Sequence, residues 1–276
     1  LNALLRDPSP EQGSNTFLYE LAGLAVTCHS HLCFRYLLSD TFSTNGVVLD
    51  HDLLNHVIIM EGELCLSYAN NEFKETIQTG EKRHAGLFDI AIEYLASRKE
   101  TVLSTQDTFG RLSLHYGALH GMDSICQSIM GYSHAWGLGC ASRLILTPDW
   151  QGFTPFHYAV IENHVGVAKI FLETLFSEIK SGQVAQTETL LESLSDMLIL
   201  AIRYKHDGIV FLLTKSSFDL HGFSLYGESA LYVASQIGRS DYLSLLLEHS
   251  NAVHINTAEK VHGWNPLFIA CVEGHH

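Results

Sequence analysis

One phrase recurs along this chain and limits what it can fold into. FGRLSLHYGALHG starts at Phe109, QGFTPFHYAVIEN at Gln151, YGESALYVASQIG at Tyr226 and HGWNPLFIACVEG at His262. Each has a Gly near its start (Gly110, Gly152, Gly227, Gly263), then Ser113, Pro155, Ala230 or Pro266 three residues on. An apolar residue comes next (Leu114, Phe156, Leu231, Leu267), followed by His or an aromatic (His115, His157, Tyr232, Phe268). Two positions further stands a small residue: Gly117, Ala159, Ala234 or Ala270. Gly121, Asn163, Gly238 and Gly274 then mark a helix end, and paired apolar steps such as Ile125-Cys126, Val167-Ala168 and Tyr242-Leu243 begin a second helix. The physics of the phrase is plain. Gly supplies a turn with positive φ, a hydroxyl caps the first helix, and Pro suits its first turn. The small residue lets two helices approach closely. Two short antiparallel helices cannot bury their apolar stripes alone, so such units must stack.

The phrase resembles the ankyrin repeat, T-P-L-H-x-A with a period of about 33 residues. The resemblance implies an all-α solenoid of helix-turn-helix units with β-hairpin loops. A unit without the Gly and Pro is expected at Ser195 to Ala201, where Ile209-Val210 follows eight residues after Ala201. The small positions 117, 159, 201, 234 and 270 are then spaced by 42, 42, 33 and 36 residues. The two long steps place extra residues in a Gly-rich loop over 131–148 and in a lengthened helix–loop over 178–196. Upstream, Ala25, Cys33-Phe34 and Tyr36-Leu37 keep the register of a second helix. Helical periodicity without the phrase is read over 53–68 and 87–98. The expected organisation is a linker over 1–16, a divergent helical cap over 17–106, and about five repeats over 107–276. The last of these breaks off after Gly274, so a longer polypeptide is expected.

Composition narrows the partners. Thirty Asp+Glu against 16 Lys+Arg give a formal net charge of -14. Nucleic-acid affinity is dominated by Lys and Arg at phosphates, so neither nucleic acid nor an anionic membrane is an expected partner. No apolar run approaches the roughly 18 residues of a membrane helix, and the first residues lack the pattern of a secretory signal. The six cysteines show no disulfide framework; several fall on expected buried helix faces, which suits free thiols in the cytoplasm, with the nucleus as an additional compartment.

The residues that look most chemical have structural readings. His157 is the capping histidine of its repeat, and Tyr232 and Phe268 replace it in other units, which a catalytic pair would not tolerate. CHSHLC, Cys28 to Cys33, has metal-like spacing but no second ligand pair. Asp107 and Asp149 precede a repeat Gly by three residues and suit turn chemistry. Phosphate-loop, dinucleotide and nucleophile-elbow motifs are missing, so no catalytic residue, metal or cofactor is expected. Surface remains. Hairpin tips and outward first-helix positions hold Phe109, Arg111, Tyr116, His120, Trp150, Phe153, Tyr158, Glu162, Tyr226, Glu228, Gln236 and Trp264. Aromatics and Arg are enriched at interface hot spots, so these are the candidate partner-binding residues. The alternative is that some of them pack against the inserted segments.

The wording GRLSLHYGALHG, GFTPFHYAVIENHVGVAKIFLETL, GESALYVASQIGR and GWNPLFIACVEGH also resembles the ankyrin region of a fungal family. Its members join an SPX domain, an ankyrin array and a glycerophosphodiester phosphodiesterase-like domain. The resemblance implies one of two roles. The first is a regulatory array in phosphate homeostasis that binds and inhibits a cyclin–CDK pair. The second is the non-catalytic middle of a glycerophosphocholine phosphodiesterase, bound to flanking domains of its own chain. RHAG at Arg83 to Gly86 does not supply the phosphodiesterase's metal ligands, so the segment itself is not expected to be an enzyme.

Overall fold

The computed structural model describes residues 14–28, 30–38, 53–60, 87, 88, 90, 91, 94, 102–135, 140–183, 185, 187–216, 218, 222–224, 227–248 and 255–275. The described residues are helical apart from loops. They contain no strand, and a single isolated antiparallel bridge joins Phe223 to Ser229. The fold is all-α, as the repeat phrase requires. The chain divides into two compact units: residues 1–139 with 148–150, and residues 140–147 with 151–276.

In the first unit, α1 (Ser14–Thr27) packs on α2 (His31–Leu38). α3, over 53–60, buries Leu53, Leu54, Val57 and Ile58. A 3-10 turn at Val102–Ser104 leads to α4 (Ser113–Leu119) and α5 (Asp123–Ala135), which pack together. Ser113 Oγ donates to the buried Asn55 Oδ1 at 2.8 Å, tying α4 to α3. At Gly117 an added Cβ would stand 3.1 Å from Cys126 Sγ, which shows how closely α5 crosses. The apolar step of α2 is shifted from the expected register. Phe34, Leu37 and Leu38 are buried, whereas Cys33 is only partly covered and Tyr36 is exposed. The i, i+3, i+4 stripe therefore runs through Phe34, one residue later than expected.

The second unit stacks helix pairs. α6 (Ala141–Leu146) is followed by α7 (Pro155–Ile161), α8 (Val165–Lys180), α9 (Glu188–Tyr204), α10 (Asp207–Thr214), α11 (Ala230–Ile237), α12 (Ser240–Leu247) and α13 (Pro266–Glu273). First helices contact in the order α7, α9, α11, α13, and second helices in the order α8, α10, α12. Ala159, Ala201 and Ala234 lie fully buried between them. The unit over Ser195 to Ala201, which lacks Gly and Pro, is thus a full member of the stack. Caps follow the sequence. The side chains of Thr154, Thr187, Ser229 and Asn265 accept the N–H of His157, Leu190, Tyr232 and Phe268 respectively. Each cap is worth about 1 kcal/mol.

The described parts of 131–148 are largely helical where the sequence predicts a loop, and residues 136–139 lie outside the described residues. α5 runs through Ala135, and Ala141–Leu146 forms a helix whose Ala141, Leu144 and Ile145 are buried. A remote group explains it. The Glu178 carboxylate, buried near the end of α8, accepts the N–H groups of Ala141 at 2.6 Å and Ser142 at 3.0 Å. A charge at the first turn satisfies donors that a six-residue helix could not pair. Trp136 lies outside the described residues. The cysteine expectation also needs correction: Cys126 is buried, but Cys28 and Cys271 are exposed and Cys33 and Cys140 partly so. Burial pushes the Cys126 thiol well up, leaving it unreactive.

Candidate partner-binding surface

In the first unit the hairpin tip over 107–112 is built by one carboxylate. Asp107 Oδ1 accepts the N–H of Phe109 and of Arg111, each at 2.8 Å, and Oδ2 accepts the Tyr116 hydroxyl at 2.6 Å. The Asp107 N–H meets the Arg111 carbonyl at 2.9 Å, and the Gly110 N–H meets the Asp107 carbonyl at 3.0 Å, closing the turn. Gln106 Nε2 donates to the carbonyls of Gly110 and Pro148 at 2.9 and 3.2 Å. Burial, then the Asp107 carboxylate, push the Tyr116 hydroxyl up to about 12, so it stays a neutral donor.

The rings stand on this frame. Phe109 is 62% exposed and Trp150 77% exposed. The main-chain N–H of Trp150 donates to the Phe109 carbonyl at 3.1 Å. Arg111 is held between neighbours: its guanidinium lies 5.8 Å from the ring centres of both Phe109 and Tyr116, and Nε stands 3.5 Å from Asp149 Oδ2. Arg111 and Tyr116 are half-buried, as is His120 at the C-cap of α4. The capping histidine of this repeat, His115, takes the Leu112 N–H on Nδ1 at 2.9 Å.

In the second unit His157 closes its own capping box. Nδ1 accepts the Thr154 N–H at 3.1 Å, and Nε2 faces Asp196 Oδ2 at 3.6 Å. With Nδ1 as acceptor, the ring proton sits on Nε2, directed at a carboxylate of the next repeat. The histidine is a bracket within its own repeat, with Asp196 nearby. Phe153 packs edge-on to His157 and Tyr158, with ring centres 6.0 and 6.1 Å away, and Glu162 is exposed at the C-cap of α7. Glu228 is used internally, taking Arg203 Nη2 at 2.5 Å and the Ser224 hydroxyl at 3.2 Å. The main-chain carbonyl of Gln236 lies 3.1 Å from His275 Nε2. Trp264 is half-buried between His262 and Phe268, with ring centres 4.9 and 5.1 Å away. Tyr226 lies outside the described residues.

Sequence reasoning missed the group that shapes this last tip. The buried Glu259 carboxylate accepts the N–H of Val261 and His262 at 2.5 Å each, and of Trp264 at 3.5 Å. Burial pushes its carboxyl up, but those backbone donors outweigh burial and hold it below the usual carboxylate value. An acid at the root of the turn was the available signal, hidden by one extra residue before Gly263. Among the described residues no group of three His, Cys, Asp or Glu side chains could hold a metal. The Cys28–Cys33 cluster is described only in part, since His29 and the His31 side chain fall outside. No described helix is long and apolar enough to cross a membrane.

Residues 151–174 match the ankyrin repeat, and residues 198–276 match ankyrin repeats in three copies. These two stretches are ankyrin repeats, modules of protein interaction that are not themselves catalytic. It is similar to the glycerophosphocholine phosphodiesterase GDE1 of Candida albicans, 30% identical over 184 residues, which are 64% of this chain and 15% of that protein. It is similar also to glycerophosphocholine phosphodiesterase GDE1 of Eremothecium gossypii, at 26% over 67% of the chain and 13% of the relative. A third relative is ankyrin repeat protein nuc-2 of Neurospora crassa, at 25% over 61% of the chain and 14% of the relative. The aligned part thus spans about one seventh of the length of these curated relatives.

Proposed function

We propose that this chain is the protein-binding ankyrin segment of a larger polypeptide of phosphate homeostasis, acting through its hairpin tips and outward first-helix positions. The observation that carries the reading is the exposure of Phe109 at 62% and Trp150 at 77% on a tip held in shape by Asp107. Large rings that the local fold does not bury are the kind of side chain that supplies binding energy in a partner's pocket. Phe153, Tyr158 and Glu162 extend the candidate set in the second unit, with Tyr226, Gln236 and Trp264 as weaker members.

Two partners follow from the resemblance. One is a cyclin–CDK pair, whose inhibition would make the segment regulatory. The other is the phosphodiesterase domain of the same polypeptide, which the names of two relatives favour. Both fit the cytosol, and the first also fits the nucleus. The test immobilises this chain and offers a purified phosphate-pathway cyclin–CDK pair and, separately, a glycerophosphodiester phosphodiesterase domain. Capture of either should fall at least about fivefold in Trp150→Ala and Phe109→Ala, while Tm stays within a few degrees, because alanine at a hot spot costs over 1 kcal/mol of binding. Capture of neither, or capture unchanged by both substitutions, overturns the reading.

A further inference from the structure

The Phe109–Trp150 tip carries more information than exposure alone. Its backbone is fixed, the main-chain N–H of Trp150 donating to the Phe109 carbonyl, and the Trp150 indole lies against Gly110, where an added Cβ would stand 2.3 Å from Cδ1 and 2.8 Å from Nε1. Two buried carboxylates stand at this tip: Asp149 faces the Arg111 guanidinium, and Asp107 is met by backbone N–H groups and the Tyr116 hydroxyl, which are neutral donors. The tip already holds a cation of its own, since Arg111 lies over the rings of Phe109 and Tyr116. Trp, the strongest aromatic partner for a cation, is the ring left most exposed. The whole chain, at -14, attracts positively charged partners over longer range.

We infer that the Phe109–Trp150 tip is a receptor for a cationic side chain, an Arg or Lys carried on an extended segment of the partner protein. The inference rests on the reading of this chain as a binding module and names the chemistry of one contact. The incoming guanidinium or ammonium lies on the Trp150 indole, with the exposed part of Phe109 beside it and the Asp107 carboxylate, which meets only neutral donors, at the root of the tip. An acidic segment would meet repulsion. An apolar or proline-rich segment would gain from the rings and nothing from the charge.

Fluorescence anisotropy with three labelled nine-residue peptides tests this. They share a Gly/Ser background and carry three Arg, three Gln or three Glu. The full chain should prefer the Arg peptide over the Gln peptide by about two- to fivefold, the range expected of an exposed cation–π contact. In Trp150→Ala the preference should fall to the part that net charge alone supplies, and in Trp150→Phe it should fall less. Circular dichroism melting of both variants confirms that the fold is kept. Equal binding of Arg and Gln peptides, binding of none, or an Arg preference untouched by Trp150→Ala would each overturn the inference. Failure here with Trp150-dependent partner capture intact removes the cation and leaves the binding-module reading standing. Loss of that dependence removes both.

Discussion

The hairpin tips over 107–112 and 259–264 solve one folding problem in two ways. Each is a tight turn with a positive-φ Gly, and each places a buried carboxylate at its root to collect backbone N–H groups. Asp107 collects those two and four residues ahead. Glu259 reaches those two, three and five ahead, and its extra methylene spans the additional residue in that loop. The root N–H closes onto the Arg111 carbonyl in one tip and onto the Trp264 carbonyl in the other. The display differs. The first tip leaves Phe109 and Trp150 exposed, while the second folds Trp264 between His262 and Phe268. A shared frame therefore fixes the turn, and the ring it carries is free to become surface or packing.

Gly110→Ala against Gly263→Ala is the strongest way to separate the two. Both positions have φ above 70°, so Ala meets the left-handed penalty at each. At Gly263 an added Cβ has open space, and the net cost is about 0.5–1 kcal/mol once the stiffer unfolded chain is counted. At Gly110 the Cβ also meets the backbone N of Trp150 at 2.9 Å, which its bond to Phe109 prevents from moving cheaply. That clash raises the expected cost to about 2–4 kcal/mol. Urea midpoints measure both. Equal shifts would mean that the Trp150 seat on Gly110 has no energetic weight.

Removing the rings reverses the roles. Trp150→Ala should change stability by no more than about 0.5 kcal/mol, as for an exposed surface site. Trp264→Ala should cost about 1–2 kcal/mol, because the indole is half-buried between two rings. Thermal melts of the two variants decide this, and a larger loss at Trp150 would make it part of the core.

These contrasts also show what the sequence could reveal. Gly, Thr-Pro and Ala announce themselves because each answers a local demand, so first helices such as Pro155–Ile161 are legible at once. α9, without those marks, is still found through Ala201, since close helix packing needs a small residue whatever precedes it. The Ala141–Leu146 helix is not legible. Six residues are too few for a periodicity, and its cap comes from Glu178, 37 positions from Ala141. The surface was legible by type and not by use. Phe109 and Trp150 stand exposed at their tip, whereas Glu228 is drawn into a bond with Arg203 that no spacing rule joins across 25 residues.

The smallest effect is the most specific to the second tip. The Glu259 carboxyl is held below its ordinary value in the folded chain, so its stabilising effect is complete above the unfolded value, about 4.3 for Glu. It is lost as pH falls below that value and through the lower folded one. Glu259→Gln keeps one acceptor oxygen and removes the titrating charge. Wild type should therefore unfold at higher urea than Glu259→Gln at pH 7 and pH 5, and the gap should narrow steadily from pH 4 to pH 3. Trp264 emission, followed in a Trp136→Phe, Trp150→Phe background, should change over the same interval as the turn loosens beneath it. A gap that stays constant from pH 7 to pH 3 would mean that Glu259 acts only through its shape, and the likeness between the two turn roots would reduce to backbone geometry.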